Sequence, residues 1–141
     1  MRRYLVVAHK TLGGEHLVEH LRHLRTEHPG CRFHLVVPMN HPGHNWTEGE
    51  VHAAAARTLD EMSDRLATMG IGATGEVGDA NPVYAVGVVL RREGAHAFDG
   101  IVLSTLPHGI SRWWRFDVPR RMAAAYPDLP LTHLVSEEAL V

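Results

Sequence analysis

Two short polar stretches hold the residue types that could bind a ligand, and each follows an apolar run. The first is Ala8, His9, Lys10 and Thr11, after YLVV at residues 4–7. The second holds Ser104, Thr105, His108, Gly109, Ser111 and Arg112, after DGIVL at residues 99–103. Lys10 and Arg112 could neutralise an anion, and a guanidinium grips phosphate or carboxylate through paired hydrogen bonds. Thr11, Ser104, Thr105 and Ser111 bring hydroxyls to these stretches, and Gly109 brings a residue without a Cβ. His9 and His108 could hold an anion or a metal, or move a proton. No Ser/His/Asp order or activated nucleophile assembles from the spacing, so no catalytic residue is assigned.

The other chemical candidates have simpler structural readings. Arg115, Arg120 and Arg121 extend the basic set, with Arg120 and Arg121 reading as an exposed helix face. Trp113-Trp114 could stack on a purine or seal a partner interface, or could serve as packing. His41, His44 and His52 have the spacing H-x2-H-x7-H, and His16, His20 and His23 fall at i, i+4 and i+7. Either set could ligate a transition metal. Cys31 is the single cysteine of the chain, so no thiolate pair supports a structural zinc site, and no metal site is assigned. Asp79 and Asn81 could contact a ribose or an adenine edge, but Asn81-Pro82 is explained by turn and helix-cap geometry.

Positioning such residues requires strands and helices in alternation. Buried strands are read at residues 4–8 and 32–38, a weak glycine-containing edge strand at 71–77, and further strands at 99–103 and 131–135. The first helix spans about 15–26, with Leu17, Leu21 and Leu24 on one stripe. Thr47 and Glu50 have capping-box spacing before a helix reaching about Met69, with Val51, Ala55, Leu59, Met62 and Leu66 on its inner face. Asn81 caps a third helix that turns Val86, Val89 and Leu90 inward and ends at Gly94. Asp117 is the candidate cap of a fourth, over about 118–126. The pattern β-α-β-α-β-α-β-α-β predicts an α/β fold: one doubly wound five-stranded parallel sheet with helices on both faces. In the order 3-2-1-4-5, the switch point lies between the first and fourth strands, where the two polar stretches meet.

This layout resembles the universal stress protein family across nearly the whole chain. The first strand and its polar turn, GDANPVYAV, DGIVLSTLPHG and the ending DLPLTHLV carry the resemblance. It implies a stress or regulatory protein with this fold, a homodimer joined through the last strand, and in some members an adenine nucleotide, ATP or AMP, in the crevice. The family's ATP-binding members use a G-x2-G-x9-G-S/T loop and an Asp after the first strand. Here Leu106-Pro107 and Asp117-Val118-Pro119 replace parts of that loop, and His9-Lys10 replaces the Asp. Asp117 would repel a phosphate and Pro119 has no N–H to donate.

Bulk properties fit that reading. The 141 residues suit one domain, spanning 1–141, and 45% hydrophobic content suffices for a core. A net charge of -2 gives no field that would recruit nucleic acid or an anionic membrane. The start MRRYLVVAHK lacks the apolar length of a secretory signal, and no run reaches membrane-spanning length, so a cytoplasmic protein is expected. Three functions follow from these residues. The first is a stress-related protein binding a nucleotide or another small anion. The second is a dimeric interaction module without nucleotide. The third is a small nucleotide hydrolase using His9 and His108.

Overall fold

The computed structural model describes residues 2–8, 15–39, 47–105 and 117–135. Nine elements alternate along the chain. They are β1 (Arg3–Ala8), α1 (Glu15–Glu27), β2 (Arg32–Pro38), α2 (Glu48–Thr68), β3 (Ala73–Gly78), α3 (Pro82–Glu93), β4 (Gly100–Thr105), α4 (Val118–Ala125) and β5 (Leu131–Val135). All strand pairs are parallel and the order is β3-β2-β1-β4-β5, as the alternation predicts.

Burial follows that order. β1 from Tyr4 onward and all of β4 are buried, whereas β3 and β5 at the two edges are half-buried or exposed. Side chains alternate between faces along a strand. Leu5, Val7, Val36, Ile101 and Leu103 therefore pack with Ala85, Val86, Val89 and Leu90 of α3 and with Val118 and Met122 of α4. On the other face Val6, Phe33, Leu35 and Val102 pack with Leu17 and Leu21 of α1 and Met62 and Leu66 of α2. Helices thus cover both faces of the sheet.

The local signals for α2 and α3 are realised. Thr47 and Glu50 form a reciprocal capping box: Glu50 N–H donates to Thr47 Oγ1, and the Thr47 N–H donates to Glu50 Oε1. Asn81 Oδ1 accepts from the N–H groups of Val83 and Tyr84, and Pro82 occupies the first turn.

Two expectations change. The fourth strand continues two residues further and takes in Ser104 and Thr105, which have no exposed surface. Their hydroxyls read as loop residues, but β1 on one side and β5 on the other extend the ladder past them. Asp117 does not cap α4. It already has helical backbone angles, makes no cap bond, and its Oδ1 accepts from Arg120 at 3.2 Å.

Candidate functional site

In an open α/β sheet ligands bind beyond the carboxyl ends of the strands where the order reverses. Here that point lies between β1 and β4, where Ala8 is registered opposite Ser104. Three of the candidate residues, Ala8, Ser104 and Thr105, meet there, all fully buried. Strand alternation places Ser104 on the α1/α2 face with Val102, and Thr105 on the α3/α4 face with Leu103. The switch point is therefore floored by a hydroxyl residue on each face. His9, Lys10, Thr11, His108, Gly109, Ser111 and Arg112 lie outside the described residues, as do Trp113, Trp114 and Arg115.

Thr105 has a partner that the sequence did not suggest. Its Oγ1 is 2.8 Å from Nε2 of His133, two residues before Val135, its register partner on β5. Burial lowers the His133 pKa, which favours the neutral ring that pairs with a hydroxyl. One floor hydroxyl of the crevice is thereby oriented by the edge strand.

The amino end of α3 also faces this side of the sheet. Its N–H groups at Val83 and Tyr84 are taken by Asn81, and Asp79 Oδ1 accepts from the Asn81 N–H at 2.9 Å. The capping reading of Asp79 and Asn81 therefore accounts for both side chains. Arg120 is exposed and paired with Asp117, and Arg121 is exposed on a shallow groove between α3 and α4.

The helical histidines do not converge. His16 Nδ1 lies 2.9 Å from the Val135 carbonyl oxygen, and His23 Nε2 lies 2.7 Å from Glu27. His20 is half-buried, and its pKa is lowered by burial and by its two histidine neighbours. Of the second set, His52 is exposed, while His41 and His44 lie outside the described residues. Among the described residues no group of three or more His, Cys, Asp or Glu side chains could hold a metal ion. No described helix is long and apolar enough to cross a membrane.

A second polar constellation lies on the α3 face near the amino ends of β2 and β3. His34 Nε2 is 2.7 Å from Glu76 Oε1, and His34 Nδ1 is 2.7 Å from Thr74 Oγ1. Arg92 of α3 donates to both Glu76 oxygens, at 2.6 and 3.0 Å, and through Nε to Glu93. The Arg92 fork, then His34, holds the Glu76 carboxyl down to about 2. An ionised carboxylate only accepts, so Nε2 of His34 donates to Glu76, while Nδ1 shares a bond with the Thr74 hydroxyl. The available sequence signal was the polar alternation of Arg32 and His34 in β2 with Thr74 and Glu76 in β3. Nothing local revealed that Arg92 would join them.

No protein-family model matches the chain, and comparison with curated proteins finds no match.

Proposed function

We propose that the protein is a non-enzymatic ligand-binding protein of the universal stress type, holding a small anionic ligand, an adenine nucleotide (ATP or AMP) first among them, beyond β1 and β4. One observation carries this reading: the switch point of a 3-2-1-4-5 sheet falls where Ala8 meets Ser104, with the buried hydroxyl residues Ser104 and Thr105 beneath it. The test is calorimetric titration and thermal melting with ATP and AMP, with and without magnesium. A ligand that binds only the native state raises the melting temperature, and at a hundred times its Kd it adds about 2.7 kcal/mol. An unchanged melting temperature at millimolar nucleotide overturns the nucleotide reading.

A second reading, a dimeric interaction module, is favoured by β5. Its outer side has no strand partner among the described residues, and Val135 is 39% exposed. Such an edge can pair with another strand, which suits a homodimer joined through the last strand.

A further inference from the structure

The end of the sheet opposite the crevice carries a groove of about 610 Å³. That volume is within the range of small-molecule sites. Three arginines from three elements line it: Arg3 of β1, Arg25 of α1 and Arg32 of β2. No acidic side chain is among its described lining residues.

The arginines are arranged against their own electrostatics. Arg3 and Arg32 are direct register partners on neighbouring strands, and like charges so placed are destabilising. Arg3 is partly compensated: it lies 3.5 Å from Glu93, and its guanidinium stands over the Phe98 ring at 4.6 Å. Arg25 and Arg32 form no ion pair or hydrogen bond through their guanidinium groups with any described residue. Elsewhere Arg22, Arg65, Arg92 and Arg120 each reach a carboxylate. Arg25 and Cys31 line the same groove; burial raises the pKa of the Cys31 thiol, and the Arg25 charge acts in the opposite direction.

Access and polarity are compatible with an anion. Gly30 and Gly72 stand on the rim, and a Cβ at either would meet nothing within 4 Å. Thr74, on the wall, has its hydroxyl 2.7 Å from His34 Nδ1, and the guanidinium forks of Arg25 and Arg32 offer charged donors to a ligand. Arg25 and Arg32 offer N–H pairs suited to bidentate binding of a tetrahedral oxyanion.

We propose that this groove is a second ligand site, separate from the β1/β4 crevice, which takes a phosphate or pyrophosphate group on a small molecule. The anion neutralises the facing charges of Arg3 and Arg32 at the amino end of the sheet and draws in Arg25 from the same groove. The site stands independently of any nucleotide in the crevice.

The test is a nuclear magnetic resonance titration of the full chain with sodium pyrophosphate at constant ionic strength, with citrate as comparator. Saturable amide shifts are expected at Gly30, Gly72 and Thr74, with Ala8 and Ser104 unmoved. The double variant R25Q/R32Q is expected to bind at least about tenfold more weakly, the loss expected when charge-assisted bonds are removed. If that variant does not fold, the single R32Q at an exposed strand end carries the test. Absence of saturable shifts, shifts confined to Ala8 and Ser104, or undiminished affinity in the variant would overturn the site. Citrate binding as tightly as pyrophosphate would overturn the phosphate assignment.

Discussion

The Glu76 carboxylate is held from three directions, by two nitrogens of Arg92 and by Nε2 of His34. Its pKa falls from 4.5 to about 2. A carboxyl lowered in the folded state contributes stability that is present above its unfolded value and lost as pH falls through the folded one. The contribution is therefore complete at pH 7 and fades between about 4.5 and 2. Glu76→Gln is expected to cost about 1 kcal/mol at pH 7, a modest figure because the network is partly exposed and screened. Urea unfolding of both proteins at pH 7, 5 and 3 should show the gap narrowing as pH falls. A gap that stays constant would disprove the ionic origin. Bonds between near neighbours were readable in advance: Thr47 with Glu50 and Asn81 with Val83 lie two or three residues apart. Glu76 and Arg92 are sixteen residues apart and meet only because α3 returns across β3. The Thr105–His133 contact spans twenty-eight residues and was invisible for the same reason.

At the scale of elements, the stripe along α2 was legible because one face of a helix must bury its apolar residues. Val51, Ala55, Met62 and Leu66 are buried as their spacing predicts, and Leu59 and Met69 pack against the same core. The approach of α3 to α4 was not legible. Gly87 within α3 looks like a weakness in a helix, but a Cβ there would stand 2.7 Å from the Tyr126 hydroxyl. That hydroxyl donates to the Val83 carbonyl at 2.7 Å, linking the residue after α4 to the first turn of α3. Gly87→Ala sets two effects against each other. Alanine gains about 1 kcal/mol of helix propensity, while displacing Tyr126 and breaking its bond costs roughly 1–3 kcal/mol. The single variant is expected to be neutral to destabilised by about 2 kcal/mol. In a Tyr126→Phe background the obstructing oxygen is gone, and Gly87→Ala should become neutral or stabilising. A double-mutant cycle by urea unfolding measures this coupling. Simple additivity of the two changes would show that the close approach does not matter.

The order of the whole sheet was legible because alternation and burial together leave few solutions. Continuous apolar runs at β1 and β4 demand the centre, while the glycine-containing β3 belongs at an edge, and both are found there. The carboxyl end of the sheet was only partly legible: polarity placed Ser104 and Thr105 in a loop, whereas ladder pairing on both sides carries β4 through them. The two edges differ in a way that bears on assembly. Exposed strand edges are commonly protected by charge. β3 carries Glu76, with Arg92 beside it, whereas β5 reads LTHLV and has no Asp, Glu, Lys or Arg. Leu131 and Leu134 are only partly buried, and Val135 is exposed. If the protein pairs with a second copy through β5, a lysine at Val135 brings two like charges together across the joint. That costs roughly 3 kcal/mol, or about a hundredfold in dimer Kd. Sedimentation equilibrium over a concentration series is expected to show a wild-type dimer and a monomeric Val135→Lys variant with unchanged circular dichroism. A wild-type monomer throughout the series, or a variant that associates as tightly as wild type, rules out β5 as the joint and leaves ligand binding in the crevice to be judged by the nucleotide titrations alone.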